Sequence, residues 1–520
     1  MASVHSVSGF SSSSGLPAHP VLQRKSYPGY YGLSHWMERV LKEIDHVRNE
    51  PSADAVHDLR VAIRRCRSLA TVMQQVDADP SWGELRRLPR KVFRRLGGLR
   101  DSHIMQDWVQ KLSQGHDAVQ TELQTGFAAS TPELQQRALK AIENFDEKAW
   151  KRMQRRLRRR SRLVPAESLA AQCLAVERLE EARDLHASAL RTDKPGPWHE
   201  LRVGIKRFRY TVESLLPEHY AAWSDNLKRL QDLLGDVHDL DVLAEAVKLS
   251  ARPETLDAQN AWQEKLRHQR TQRIETYQQL TLGKTSLWND WRHGLPYGKR
   301  LALASMARLR VTARAADTRP MRTAHVSRLA AALFDALRRV HAAPIFGEHA
   351  MRRVLRAAAR LQRVGNTDNS RAPQKASLRR LRSLPMPPSW TFDEWQLLGL
   401  TIRYHRGPEP EPDRGPFASC SEDEQKNIRA LAGVLRLARV LRKISSVDCA
   451  GMYAEKSADA ILLFVPGLTD SVEIAARLAA GKHLLEAYLG KPLVLKTAPP
   501  PENIVALPTQ TGEPGRPVES

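Results

Sequence analysis

A histidine followed by arginines at helical spacing can hold a polyanion, and this chain carries such a set twice. In VHDLRVAIRRCR, residues 56–67, His57, Arg60, Arg64 and Arg67 recur three or four residues apart. At about 100° per residue they share an arc of roughly 80°, a single stripe about 15 Å long. That length meets several successive phosphates of a chain and exceeds what one monophosphate needs. Val56, Leu59, Ile63, Cys66, Ala70 and Met73 fall on the adjoining face, so the spacing predicts a helix held in a bundle by its apolar side.

The second copy is WHELRVGIKRFR, residues 198–209. His199, Arg202, Lys206, Arg207 and Arg209 stand 142 residues after His57, Arg60, Arg64, Arg65 and Arg67. A further segment, LGGLRDSHIM at 96–105, returns as LGDVHDLDVL at 234–243, an offset of 138. Two motifs recurring in one order predict a duplicated unit of about 140 residues. A single arginine-rich helix is ordinarily a solvated face. Two matched copies with few acids on the same arc carry like-charge repulsion that a bound counter-ion relieves. Asp101 and Asp239 have two readings, orienting a stripe arginine or capping a helix. His57 and His199 also have two, donating to phosphate when protonated or capping a carbonyl.

Composition agrees with an anionic ligand. The chain has 520 residues, enough for two or three domains. Lys and Arg outnumber Asp and Glu by 81 to 58, a formal charge of +23, which points to a polyanionic partner without restricting it to nucleic acid. The four cysteines have no CxxC or CxxxH spacing, so neither a disulfide framework nor a zinc site is expected. The first 25 residues lack a signal-peptide pattern and no apolar run of about 18 residues occurs. The expectation is a cytoplasmic protein that makes no membrane contact.

The elements that must position the stripes are helices. Apolar spacings of three and four run from about Leu33 to Val247 and again from Thr323 to Ser446. Gly, Pro and aromatic residues in TLGKTSLWNDWRHGLPYGKR suggest a boundary between them. ADAILLFVPG and KPLVLKTA have β-type composition and predict a hairpin or small sheet at the end. The expected fold is therefore mainly α. It comprises a disordered tail over 1–28, a duplicated helical domain over 29–295, a linker over 296–322, a second helical domain over 323–497 ending in a small β element, and a disordered tail over 498–520.

The HxLRVxx[RK]RxR motif, its second copy and the paired LG segments resemble the CHAD domain, a helical domain associated with inorganic polyphosphate. The resemblance covers roughly residues 30–290. It implies two pseudo-symmetric bundles facing across a basic groove. Carried onto this chain, its contacts are His57, Arg60, Arg64, Arg65, Arg67 and Arg100 from one copy, with His199, Arg202, Lys206, Arg207 and Arg209 from the other.

Residues 323–497 resemble the HD-like C-terminal domain of the exopolyphosphatase and guanosine pentaphosphate phosphatase family. The carrying stretches are AHVSRLAAALFDAL, MRRVLRAAARLQRVG, WTFDEWQLLGLTIRYHRGPEP and IRALAGVLRLARVLRKI. His325 fills the first metal-ligand place, but Gln362 and Arg363 stand where the His-Asp pair belongs, and Arg439 replaces the later Asp. Gln374 and Lys375 stand in the element where this family has histidines. Arginines repel a cation, so the resemblance implies a site converted to anion attraction or abandoned. His405, beside Arg403 and Arg406, reads as a structural histidine at a helix end or as an anion contact.

The pairs His57–Asp58, His116–Asp117 and His238–Asp239 assemble no metal set. GxxxxGK[ST], GxSxG and HExxH are missing from the sequence. The expectation is non-catalytic binding of inorganic polyphosphate in a granule or scaffold role, with no cofactor, no metal and no assigned protein partner. Nucleic acid is the less favoured ligand, since only 6% of residues are aromatic and the stripes interleave only Phe208 and Tyr210. A phosphohydrolase rebuilt around His325 and His405 is the third reading.

Overall fold

The computed structural model describes residues 32–113, 118–250, 255–365, 372–469 and 472–498. The tails expected over 1–28 and beyond Ala498, and the pair His116–Asp117, lie outside the described residues. The architecture is mainly α.

The first repeat holds α1 (Leu33–Asn49), α2 (Ala53–Met73), α3 (Pro80–Arg87), α4 (Arg90–Leu112), α5 (Ala118–Glu143) and α6 (Glu147–Arg160). The second holds α7 (Leu169–Ala189), α8 (Pro195–Leu215), α9 (Pro217–Leu249), α10 (Leu256–Thr281) and α11 (Leu287–Gly294). The α1–α2, α2–α4 and α4–α5 contacts of one copy have counterparts in the α7–α8, α8–α9 and α9–α10 contacts of the other. The Ser52 hydroxyl accepts the Ala55 amide at 3.2 Å and starts α2, whereas α8 starts on Pro195, whose missing N–H suits the first turn. The stripe helices α2 and α8 pack on each other, so both repeats share one core, from Ile44, Leu59 and Leu96 through Leu201, Phe208 and Trp291. A smaller cluster around Trp108, Leu240 and Trp262 joins the far ends of α4, α9 and α10.

The stretch read as a linker contains α12 (Gly298–Ala316), packed on α7 and on the next unit. Leu301 and Val311 lie against the first core, while Leu309 and Ala313 belong to another. Arg308, almost fully buried, donates from Nη1 to Glu177 Oε1 of α7 at 2.6 Å. Its charge at a core position hides the apolar stripe, which is why composition alone suggests a linker.

The C-terminal unit holds α13 (Pro320–Arg339), α14 (His349–Leu361), α15 (Pro373–Arg382), α16 (Phe392–Tyr404) and α17 (Glu422–Leu441). Thr391 with Glu394, and Ser421 with Glu424, form capping boxes that start α16 and α17. The chain closes with β1 (Tyr453–Lys456), β2 (Ile461–Pro466), α18 (Val472–Leu489) and β3 (Leu493–Ala498). β1 pairs antiparallel with β2, and β2 parallel with β3 across the α18 crossover. Both β-type segments are strands, and a helix separates them. Among the described residues no helix is long and apolar enough to cross a membrane.

Candidate anion-binding groove

Packing of α2 on α8 brings Arg60, Arg64, Arg202 and Lys206 together. Arg60 donates from Nη1 to the Phe93 carbonyl at 2.9 Å and lies 4.7 Å over the Phe93 ring. Arg67 stacks on the same ring at 4.8 Å and Arg64 reaches its margin at 6.0 Å. Arg64 also donates to the Tyr210 hydroxyl at 3.3 Å, a bond from the first copy to the second. Gly97 explains part of the LGG segment: a Cβ there would sit 2.9 Å from Arg60 Nη1. The matching Gly235 has open space, so the two copies are not equivalent.

Asp101 and Asp239 lie inside α4 and α9, which rules out helix capping. They face the stripes: Asp101 feels Arg60, Arg202 and Lys206, and Asp239 feels Arg202 and Lys206. Burial pushes Asp239 up to about 6, although Arg202 works against it. Burial and then the neighbouring Arg202 and Arg64 pull the Lys206 ammonium down to about 7. Burial followed by Arg64 takes Arg60 down to about 10. Burial is the larger cause and the neighbouring guanidinium groups add to it, so the charged form of Lys206 is one that a further anion would favour.

The histidines sit at one end. Burial and Arg100 lower the His57 pKa. In the second copy His238 stands where Arg100 stands in the first, with its Nδ1 3.2 Å from His199 Nδ1. Burial, then Arg202, brings His238 down to about 4, so this pair is largely neutral near pH 7.

The other motif cations separate by helix face. Arg65 pairs with Glu213 of α8 and stacks 4.1 Å over Trp36 of α1, so its charge is already matched away from the groove. Arg209 donates to the Tyr220 hydroxyl at 3.4 Å, toward the start of α9. Arg207 pairs with Glu181 at 2.6 Å. With Arg64, Arg67, Arg86 and Arg178, Arg207 also lines a cavity of about 200 Å³ beside Phe93. Sequence reasoning did not assign roles to Phe93, Arg86 or Arg178. Phe93 alone carried a signal, being an aromatic one helical turn before Gly97.

Residues 33–248 match the CHAD domain family. The matched residues contain both stripes and both LG segments. A structural search returns "Crystal structure of the CHAD domain from the plant Ricinus communis" at 17% identity and a TM-score of 0.37, covering 50% of this chain and 88% of that one. No curated protein matches the chain. The family match stops short of α10 and does not reach the C-terminal unit.

In that unit Gln362, Arg363, Gln374, His405, Arg406 and Arg439 converge on one cavity. His325 does not line it and stands near Arg328, Arg442 and Asp448. Lys375 is exposed, and Arg403 stacks 4.9 Å over Tyr404. His405 is the C-cap of α16 and is buried. Among the described residues no three His, Cys, Asp or Glu side chains are grouped to hold a metal ion.

Proposed function

We propose that the CHAD region binds inorganic polyphosphate without transforming it, in a granule or scaffold role. The supporting observation is the junction of α2 and α8, where Arg60, Arg64, Arg202 and Lys206 meet around the buried acids Asp101 and Asp239. Lys206, at about 7, sits where a bound anion supplies the missing negative charge. The CHAD resemblance adds the ligand class. Nucleic acid is less well served, because Arg60 and Arg67 already stack on Phe93, leaving less of that ring for a base. His57, Arg100 and His199 extend the reading to one end, and Arg67 with Arg207 to the other. Arg65 and Arg209 are read as structural.

Calorimetric titration of long-chain polyphosphate into the full chain tests this, with double-stranded RNA as competitor and phosphate release measured alongside. Saturable binding that RNA at equal phosphate concentration does not displace is the expected result. Replacing Arg60, Arg64, Arg202 and Lys206 by Ala abolishes it while helicity is retained. With about four phosphates neutralised, log K falls against log salt with a slope of roughly −3. Displacement by RNA would reassign the ligand, and phosphate release lost in His325→Ala would replace binding by hydrolysis.

A further inference from the structure

Arg319, Arg322, Arg363, Arg406, Arg439 and Arg442 line a single cavity of about 160 Å³ in the C-terminal unit. They come from the N-cap and first turn of α13, from just after α14 and α16, and from the C-terminal end of α17. No Asp or Glu lines its wall among the described residues. Asp317, which is not on the wall, accepts from Arg363 Nε at 3.1 Å and from the Arg319 amide at 2.9 Å. Burial and the neighbouring Arg406 and Arg442 take Arg439 down to about 10. A water needs on the order of 10–15 Å³ by this measure, so the space is roughly tenfold larger and admits two linked phosphoryl groups.

The wall is built. Thr323 and Gln374, 4% and 7% exposed, each hold a buried polar side-chain atom, Oγ1 and Oε1, with no hydrogen-bond partner in the protein. Polar atoms buried without partners are costly, and a ligand or water would relieve that cost. His405, 3% exposed, donates from Nδ1 to the Ile402 carbonyl at 2.5 Å, and its own carbonyl accepts from Arg439 at 3.1 Å. The end of α14 is tied to α15 because Ser377 Oγ donates to the Gln362 carbonyl at 3.0 Å and accepts the Gly365 amide at 3.2 Å. Gly365 allows this approach, since a Cβ would lie 2.3 Å from the Ala376 backbone. Gly407, at φ 82°, turns the chain after Arg406 beside the Gln374 amide.

We propose that this cavity is a second anion site, separate from the groove, that takes a pyrophosphoryl group. Planar guanidinium groups on several sides suit adjacent phosphoryl groups, which present many acceptor oxygens and multiple charge. The Thr323 hydroxyl rotates freely enough to donate, and the Gln374 amide can present either its oxygen or its nitrogen. A divalent cation is disfavoured by the same six charges. The pyrophosphoryl group has two sources, the end of a polyphosphate chain and a nucleoside diphosphate, which present the same chemistry to the cavity.

The test is calorimetric titration of inorganic pyrophosphate into the full chain and three variants. The groove variant, Arg64→Ala with Lys206→Ala, is expected to retain one site at unchanged affinity. Arg322→Gln with Arg406→Gln, both exposed, is expected to weaken that site at least tenfold at unchanged melting temperature. Arg439→Gln should do the same, and if it fails to fold, the exposed pair still decides the matter. Pyrophosphate affinity unchanged in the exposed pair, loss of binding in the groove variant, absence of binding, or equal affinity for orthophosphate would each overturn the proposal. Competition by tripolyphosphate and by ADP then identifies the source, the tighter competitor marking a chain end or a nucleotide. Failure of polyphosphate to use the groove leaves this readout intact, because the cavity shares no residue with it.

Discussion

Arg60 and Phe93 are joined twice: the guanidinium lies 4.7 Å over the ring and donates to the same residue's carbonyl at 2.9 Å. Arg67 shares that ring at 4.8 Å, so one aromatic side chain sets the orientation of two groove cations. Phe93→Leu retains bulk and removes the cation–π attraction, worth about 0.5–1 kcal/mol per exposed pair. Polyphosphate affinity is expected to fall by about five- to thirtyfold if both contacts contribute. Calorimetry on Phe93→Leu checks this, and unchanged affinity would make the ring mere packing.

The two matched glycines predict opposite consequences. Gly97→Ala places a methyl group 2.9 Å from Arg60 Nη1, displacing the guanidinium. Gly235→Ala meets nothing within 4 Å in the middle of α9. The second change is expected to stabilise the protein by about 0.5–1 kcal/mol and to leave binding alone. The first is expected to weaken binding with little gain in stability. Thermal melts and titrations on the two variants separate these outcomes.

The depressed pKa of Lys206 gives a pH dependence. Between about 7 in the fold and the usual lysine value when unfolded, the unfolded chain binds more protons, so this residue makes stability rise with pH across that window. Ligand binding has the opposite sense, because a polyanion favours the ammonium form. Affinity is expected to decline as pH rises above about 7, the free-state value, with proton uptake on binding near and above that pH. Calorimetry in buffers of different ionisation enthalpy measures that uptake. Lys206→Met is expected to raise the melting temperature at pH 6 and lower affinity.

Arg65 and Arg64 are adjacent in sequence and differ in their partners. Arg65 is clamped between Glu213 and Trp36, while Arg64 reaches Tyr210 in the groove. Arg65→Ala leaves Glu213 half-matched in a largely buried place and is expected to cost about 1–3 kcal/mol of stability, with affinity changed less than twofold. Arg64→Ala should show the reverse pattern. Denaturant unfolding and titration of both variants make the comparison.

The stripes could be read from the sequence because helical spacing is a local property: His57, Arg60, Arg64 and Arg67 share a face whatever the helix packs against. Cross-helix partners were not legible. Nothing near Arg65 in the chain announces Glu213 or Trp36, and Phe93 becomes a platform only once α4 lies across α2. For the same reason the family motif does not distinguish Arg65 and Arg209, which have partners on other helices, from Arg60 and Arg64. Between the two β-type segments, α18 is rich in Ala and Leu, and Gly490, at φ 64°, closes its C-terminal end. The six arginines of the C-terminal cavity are scattered over more than a hundred residues, and tertiary packing alone gathers them.

Helix α12 has a consequence for how such a chain can be cut or inherited. Because Leu301 and Val311 serve one core while Leu309 and Ala313 serve another, no break within 298–316 yields two clean pieces. A fragment ending near 300 would leave Glu177 facing water or apolar surface without Arg308, and the remainder would expose part of its interior. The CHAD match ends at residue 248, well before this joint. The smallest piece that keeps its core intact is therefore larger than the matched region, and the segment after the match serves that region as its structural keel.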